Sequence, residues 1–178
     1  IRSLSDEVKI PSTECLNKEL IEEAIRLEFD RIIISTGATT RDEKLDLILG
    51  FCDGEECESD IVFMHCVSSY PCEAEDVNMS AIEIYKRFLP DKNIGYSGHY
   101  YGIEDAQIAI VKNVGFVEKH FTLDNTLPGR DNKFAILPKE MSKLSEFRDL
   151  YNKMSGSNLD LNEKEKDMRE NYTGRWNS

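Results

Sequence analysis

Five short runs of mostly apolar residues occur in the first two-thirds of the chain, and each run ends in polar side chains. The runs cover residues 8–12, 31–36, 61–67, 94–97 and 115–121. The second and third runs are apolar at nearly every position before their polar endings. That composition is typical of strands that are buried on both faces of a parallel sheet. The pattern therefore predicts five β-strands.

Segments with helical spacing of apolar residues separate these runs. They cover residues 16–29, 42–49, 79–88 and 104–112, and a further amphipathic helix is predicted over 139–154. In each segment the apolar residues recur every three or four positions, which gives one face that can pack against a core. Alternation of strands and helices is the pattern of βαβ units around a parallel sheet.

Two α/β architectures fit this alternation, an open doubly wound sheet and part of a (β/α)8 barrel. Polar, chemically capable residues follow several different strands, as at Lys9, Ser35, His65, Ser97 and His120. Barrel enzymes collect their catalytic groups in this way, whereas an open sheet uses one switch point and a glycine-rich first turn. No GxGxxG motif follows any predicted strand. We therefore favour a partial barrel, and we expect the three strands needed for closure to precede residue 1 in a longer protein.

Domain organisation follows from a change of composition after the last predicted helix. Residues 1–154 are predicted to be the C-terminal part of the barrel domain. Residues 155–178 are polar and mixed in charge, with aromatic residues only near the end at Tyr172 and Trp176. We expect this second segment to be an arm that packs on the barrel or on a neighbouring chain.

Charge and cysteine content narrow the classes of function. The net charge is −12, which argues against a nucleic-acid partner, because phosphate backbones are bound by clustered lysine and arginine. No apolar run is long enough to span a membrane. The odd number of cysteines and the lack of CxxC spacing indicate reduced thiols and a cytoplasmic protein, with a zinc site on Cys52 and Cys57 as a weak alternative. The cysteines are Cys15, Cys52, Cys57, Cys66 and Cys72.

The residues that could perform chemistry lie near the strand ends. His99 and His120 could hold a divalent ion if neighbouring strands bring them together, although two unrelated histidines would give the same sequence. Lys9 and Ser12 could bind a phosphate or carboxylate group, and Glu14 could carry a proton. The alternative for these three residues is a solvated strand end.

Three further candidates have equally ordinary alternatives. Ser35, in the sequence ISTGATT, could form an anion-binding turn, but the same stretch predicts a helix cap at Thr39 or Thr40 with Glu43 as its partner. Asp131 could accept hydrogen bonds from a hydroxylated substrate, or it could stabilise a turn. Tyr70 could contact a substrate or pack in the core.

Five phrases in this order carry a resemblance to a known family. They are KIPSTE, ISTGATTRDE, HCVSSYPCEAEDVNM, IGYSGHYYGI and VEKHFTLDNTLPGRDN, and the resemblance that they carry runs from about residue 8 to residue 138. They resemble the N-acetylneuraminate synthases and the related legionaminate and pseudaminate synthases. The resemblance implies strands four to eight of a (β/α)8 barrel. It also implies a reaction that joins phosphoenolpyruvate to an N-acylated amino-sugar aldehyde with the help of Mn²⁺ or Mg²⁺.

The resemblance implies a role for each candidate position. The two metal-binding histidines of the family match His99 and His120, and a mechanistic carboxylate matches Glu14. Positions that contact the sugar match Tyr70 and Asp131. The phosphoenolpyruvate contacts match Lys9, Ser12, Ser35 and Ser97, and Ser68 stands where the family has an asparagine.

The sequence departs from the family pattern at two residues near the sugar pocket and in the regions that it lacks. Arg130 and Asn132 stand where many relatives have proline and histidine, which is expected to alter the sugar pocket. The early strands of the family and its C-terminal antifreeze-like domain have no counterpart in this sequence. We therefore expect activity, and a homodimer, from a longer protein and not from this segment alone. The alternatives are a truncated barrel that serves as a non-catalytic binding or interaction module, and a metal-dependent aldolase that acts on free pyruvate.

Overall fold

Five parallel strands form a single sheet in the order in which they occur along the chain. The computed structural model describes residues 3–52, 58–89 and 94–174. The strands are β1 (Glu7–Ile10), β2 (Arg31–Ser35), β3 (Asp60–Cys66), β4 (Ile94–Gly98) and β5 (Phe116–Lys119). Each strand pairs in parallel with the next, so the carboxyl-terminal ends of all five strands lie on the same side of the half-barrel.

Helices connect the strands and extend beyond them. They are α1 (Lys18–Arg26), α2 (Arg41–Cys52), α3 (Ala81–Phe88), α4 (Glu104–Val111), α5 (Pro138–Met154) and α6 (Lys166–Tyr172). The predicted cap of α2 is confirmed, because the Thr40 N–H donates to Glu43 Oε2 at 2.7 Å and the Glu43 N–H donates back to Thr40 Oγ1 at 3.3 Å. Helix α5 begins with Pro138, a residue that is well suited to the first helical position.

Local chemistry shortens several predicted elements. Strand β1 ends at Ile10 instead of residue 12, because Pro11 has no N–H to continue the ladder and a 3₁₀ turn follows it. Helix α1 is shorter than the predicted 16–29. The Asn17 side chain accepts from the Leu20 N–H and starts the helix, and Glu28 has a positive φ of 55° beyond its end.

The hydrophobic core lies between the sheet and its helices. Ile34 of β2 and Phe63 of β3 are at most 1% exposed, and they belong to one cluster with Ile82 of α3. Alternate strand residues therefore face the helices, and the residues between them face the opposite side of the sheet.

The sheet is strongly curved. Lys9 of β1 and Glu118 of β5 form an ion pair with Nζ and Oε1 3.0 Å apart, although these strands are at opposite edges of the sheet. In a flat sheet four interstrand spacings would separate them by roughly 19 Å, beyond the reach of both side chains. The guanidinium of Arg31 on β2 likewise lies 4.8 Å from the ring centre of Phe116 on β5. The curvature is that of a half-barrel, as the sequence predicts.

The C-terminal arm is exposed. Every residue from 155 to 174 has an exposed side chain, so this arm is not buried against the half-barrel. Within the described ranges, no helix has both the length and the apolar character needed to cross a membrane. Cys15, Cys66 and Cys72 are buried free thiols. Cys57 and Trp176, and the side chain of Cys52, lie outside the described residues.

Candidate functional site

Polar side chains collect where the strands end, on the concave side of the sheet. This region, which we call the mouth, contains Lys9, Ser12, Ser35, Gly37, Cys66, Ser68, Ser97, His99, Glu118 and His120. They come from all five strands and the loops that follow them. Because parallel strands end at one edge, the fold brings together residues that are far apart in the sequence.

Glu118 connects three strands across the mouth. Its Oε1 atom accepts a hydrogen bond of 2.8 Å from the Ser97 hydroxyl of β4 and lies 3.0 Å from Lys9 Nζ of β1. The side chains of Lys9 and Glu118 are 33% and 41% exposed, so solvent and ligands can reach this pair. Sequence reasoning did not select Glu118. Its position two residues before His120, and therefore on the same strand face, was the available signal.

Hydroxyl groups line a tight cradle around Gly37. The Gly37 N–H donates to Ser12 Oγ at 3.0 Å, and Ser12 Oγ lies 3.4 Å from Cys66 Sγ. A Cβ atom at position 37 would lie only 2.3 Å from Ser68 Oγ and 2.8 Å from Ser12 Oγ, so a larger residue there would force these hydroxyls to move. The cradle combines a backbone turn with the hydroxyls of two separate loops, as anion sites often do.

Two hydroxyls of the mouth have no hydrogen-bond partner. Ser35 Oγ and Ser68 Oγ are buried, and neither has a hydrogen-bond partner of good geometry in the part of the chain that the structure describes, although the Tyr70 hydroxyl lies near enough to interact with Ser68. Leaving a buried hydroxyl unpaired costs about 1–3 kcal/mol, and native proteins rarely tolerate this without a reason. A bound ligand that accepts hydrogen bonds would remove the cost.

Aromatic rings enclose the two histidines at the ends of β4 and β5. The ring centres of His99 and His120 are 5.2 Å apart. The Tyr70 ring lies 4.1 Å from His99 and 5.9 Å from His120, and the Phe134 ring lies 5.1 Å from His120. The fold thus brings both predicted metal ligands and Tyr70 into one cluster.

The His99 ring contacts both the Val67 carbonyl and the Cys66 side chain. Its Nδ1 atom is 2.8 Å from the Val67 carbonyl, so Nδ1–H donates and Nε2 keeps its lone pair. Such a bond to a backbone carbonyl is the usual second contact of a metal-binding histidine. Burial opposes the charged ring, but contacts with Cys66 and the Val67 carbonyl outweigh it and raise the pKa of His99.

His120 and Asp131 lie on the other side of the cluster. Burial and the neighbouring His99 lower the pKa of His120, which favours its neutral, ligating form. Its Nδ1 atom is 3.7 Å from Asp131 Oδ2, beyond direct hydrogen-bond distance. Among the described residues, no group of three or more histidine, cysteine or acidic side chains could hold a metal ion. An ion at the two histidines would therefore need oxygen ligands from water or substrate.

The remaining candidates occupy different positions. Glu14 lies on the 3₁₀ turn after β1, where its carboxylate accepts a 2.9 Å hydrogen bond from the Asn17 side chain that caps α1. His65 lies on the helix side of β3, with Nε2 2.8 Å from the Val77 carbonyl and its ring near Tyr85 and Tyr96. The fold therefore separates His65 from the histidine pair.

Comparisons with known proteins agree with this architecture. The model of the NeuB family matches residues 2–159. An N-acetylneuraminate-9-phosphate synthase of Drosophila melanogaster is 33% identical over 138 residues, covering 78% of this chain and 36% of the relative. An N,N'-diacetyllegionaminic acid synthase of Campylobacter jejuni is 32% identical over 136 residues, covering 76% of this chain and 40% of the relative.

A solved structure gives the same result. The crystal structure of the N-acetylneuraminic acid synthetase of Leptospira borgpetersenii, in complex with citrate, superposes with a TM-score of 0.79 at 31% identity. The match covers 93% of this chain and 56% of that protein. The chain thus spans less than half the length of the two curated relatives and about half of the solved one. The resemblance found in the sequence is confirmed: the chain belongs to the NeuB family.

Proposed function

We propose that the protein containing this chain condenses phosphoenolpyruvate, an N-acylated amino-sugar aldehyde and water into a nonulosonic acid and inorganic phosphate. The enol C3 forms the new carbon–carbon bond with the aldehyde carbon. Water adds at C2, and the C2–O bond breaks to release phosphate. This makes the protein a carbon–carbon bond-forming transferase. Family membership supports the class of product, and the mouth supports the substrates.

The observation that carries the proposal is the pair of unpaired hydroxyls, Ser35 and Ser68, in a mouth that also holds Lys9. Phosphate and carboxylate groups accept hydrogen bonds and attract a lysine ammonium group. Phosphoenolpyruvate carries both anionic groups, so it would satisfy Ser35 and Ser68. Ser12 and Ser97 belong to the same proposed site, although each already has a partner in the chain.

Lys9 would exchange one partner for another when phosphoenolpyruvate binds. In the structure its ammonium group is paired with Glu118. An incoming phosphate would replace that carboxylate, so Lys9 stays paired in both states. Glu118, released from Lys9 but still hydrogen-bonded to Ser97, would then accept a proton from the attacking water. The family resemblance selects a different residue, Glu14, as a mechanistic carboxylate.

The histidine cluster suits the aldehyde end of the reaction. The neutral His120 suits a divalent ion such as Mn²⁺ or Mg²⁺, and His99 would offer Nε2 as a second ligand once the ion displaces the proton that its contacts favour. When bound, the ion would polarise the aldehyde as a Lewis acid. Tyr70 offers a ring face and a hydroxyl to the sugar, and Asp131 offers a carboxylate to its hydroxyl groups. We assign both residues to the sugar side of the mouth.

The rest of the barrel must come from other parts of the protein. We assign the five strands to positions four to eight of a (β/α)8 barrel, and we propose that the complete protein is a homodimer. Three further strands would complete the ring between β5 and β1. They would also cover the concave side of the sheet and shield the mouth from bulk solvent, while the one water that adds at C2 still enters.

The test is turnover by the full-length protein with Mn²⁺, phosphoenolpyruvate and either N-acetylmannosamine or its 6-phosphate. Phosphate release that depends on the sugar is expected, together with a product three carbons longer than the sugar. Phosphoenolpyruvate labelled with ¹⁸O at the bridging oxygen should give labelled phosphate, because the C2–O bond breaks. Product formed from free pyruvate would contradict the proposal, and so would a full-length protein that turns over no amino sugar.

A further inference from the structure

A buried ion pair lies directly behind the histidine cluster, on the helix side of the sheet. Lys119 Nζ is 2.9 Å and 3.0 Å from the two carboxylate oxygens of Asp105, and both side chains are only 2% exposed. A buried ion pair is seldom better for stability than a well-packed apolar pair, because both charges lose their hydration. Stability alone therefore does not explain why these two charged side chains are buried.

Lys119 holds two chain segments that carry the histidines. It immediately precedes His120 at the end of β5. Its Nζ atom also donates a 2.7 Å hydrogen bond to the carbonyl of Tyr100, the residue after His99. One ammonium group thus links the backbone beside one histidine to the backbone beside the other.

Asp105 fixes the other side of His99. Its Oδ2 accepts a 2.9 Å hydrogen bond from the Tyr96 hydroxyl, and its Oδ1 accepts from the Ala106 N–H at 2.8 Å. The end of β4 lies so close that a Cβ atom on Gly98 would be 2.3 Å from Asp105 Oδ2. Contacts with the ion pair thus flank His99 on both sides, at Gly98 and at Tyr100.

We infer that Asp105 and Lys119 are positioning residues that set the separation of His99 and His120 for a divalent ion. This inference rests on the proposed function. Successive strand residues face opposite sides of the sheet, so an anchor on the helix side can fix a side chain in the mouth without touching the ligand. Metal ligands need placement to about half an ångström, and this pair supplies a rigid connection between two loops.

The experiment measures Mn²⁺ binding to the full-length protein, without substrates, by electron paramagnetic resonance. Lys119→Met and Asp105→Asn should each weaken Mn²⁺ binding by about 10–100-fold, the usual effect of removing a residue that orients a ligand. The ¹⁵N signals of His99 and His120 should shift or broaden in the same variants. Near-ultraviolet circular dichroism verifies that each variant is folded.

Two matched controls separate positioning from general destabilisation. Lys112→Met makes the same lysine-to-methionine change in a different ion pair, which joins Lys112 at the end of α4 to Glu83 on α3. Tyr85→Phe removes a buried hydrogen bond on the helix side that does not involve the segments carrying the histidines. Both should bind Mn²⁺ with the wild-type affinity, even where the melting temperature falls.

The outcomes distinguish this inference from the proposed function. If the wild-type protein binds no Mn²⁺, or if His99→Ala and His120→Ala bind it as tightly as wild type, the proposed metal site is wrong. If those variants lose Mn²⁺ but Lys119→Met and Asp105→Asn keep the wild-type affinity, the positioning role is wrong. If neither of these two variants folds, Tyr96→Phe, which removes a single hydrogen bond to Asp105, replaces them, and unchanged affinity in that variant would overturn the inference.

Discussion

Ser35 and Thr36 are neighbours at the end of the same strand, both are buried, and their hydroxyls are in opposite situations. Thr36 Oγ1, on the helix side, is 3.0 Å from the Met64 carbonyl and 2.7 Å from the Tyr85 hydroxyl. Ser35 Oγ, on the mouth side, has no partner in the described part of the chain. The two residues are 2% and 0% exposed, so burial does not explain the difference.

The contrast extends to both sides of the sheet. On the helix side, the Asp105–Lys119 pair and the Tyr96 hydroxyl satisfy one another. In the mouth, Ser68 shares the unpaired state of Ser35. The buried Nδ1 atom of His65 on the helix side is also unpaired among the described residues. An unpaired group therefore points to a ligand only where, as in the mouth, it shares the site with a charged side chain that a ligand can reach.

The largest effect should come from the histidines of the mouth. His99→Ala or His120→Ala in the full-length protein should lower kcat/KM by about a thousandfold or more, since a Lewis acid supplies several kcal/mol of transition-state stabilisation. Phosphate release with Mn²⁺ measures this effect. His65→Gln, on the helix side, should retain measurable turnover. An ion bound by His65, or full activity in the presence of a chelator, would show that the wrong histidines were chosen.

The next largest effect should come from Lys9. Lys9→Ala should raise the KM for phosphoenolpyruvate by roughly 10–100-fold, because a charge-assisted hydrogen bond contributes about 1.5–3 kcal/mol. The KM for the sugar should change much less. Arg26→Ala, which removes an exposed ion pair with Glu23 on α1, should alter neither constant. An equal rise in both constants after Lys9→Ala would mean that the phosphate site lies elsewhere.

The neighbouring hydroxyls provide a matched pair of smaller effects. Thr36→Val should reduce the free energy of unfolding by about 1–3 kcal/mol, because it removes two buried hydrogen bonds. It should leave the affinity for phosphoenolpyruvate unchanged. Ser35→Ala should do the reverse. Its stability should stay the same or rise, because an unpaired buried hydroxyl is removed, and phosphoenolpyruvate binding should weaken by about 2–10-fold, the value of one hydrogen bond. Urea unfolding and titration with phosphoenolpyruvate measure the two quantities. Equal stability losses would remove the distinction between the two sides of the sheet.

The sequence was sufficient to predict the strand–helix alternation, the half-barrel and the family. Nearly continuous apolar runs identified β2 and β3. Strand β3 is buried on both faces, whereas Ile33 on the concave face of β2 is only partly buried. The Thr40–Glu43 cap was visible from spacing alone. Element ends were less predictable. They depend on single residues such as Pro11, which ends a ladder, and Glu28, whose backbone conformation lies outside the helical region.

Residues that act across strands could not be predicted from the sequence. Alternation shows which side of the sheet a residue faces, but it does not show which partner it meets on a distant strand. Glu118 contacts Lys9 only because the sheet curves, and Lys119 meets Asp105 only because α4 packs behind β5. Curvature and helix packing are properties of the whole fold, so these contacts appear only in the structure.

The smallest predicted effect concerns His65 and the dependence of stability on pH. Burial lowers the pKa of His65, so the folded state keeps this ring neutral at pH values where the unfolded chain, with a pKa of about 6.5, takes up a proton. Above that value both states are neutral and His65 has no effect. As the pH falls below about 6.5, the unfolded state binds more protons and stability decreases by up to about 1.4 kcal/mol per pH unit.

Comparison with a variant isolates this contribution, because other histidines also titrate. The pKa of His99 is raised, so its contribution has the opposite sign and favours the folded state at low pH. The unfolding free energy of the wild type minus that of His65→Gln cancels the contribution of His99 to the pH dependence of stability. What remains is the contribution of His65. Between pH 7.5 and 5.5 this difference should fall, as measured by urea unfolding of the full-length protein without metal. A difference that stays constant over this range would mean that the His65 ring is protonated equally in both states, and that burial on the helix side does not hold it neutral.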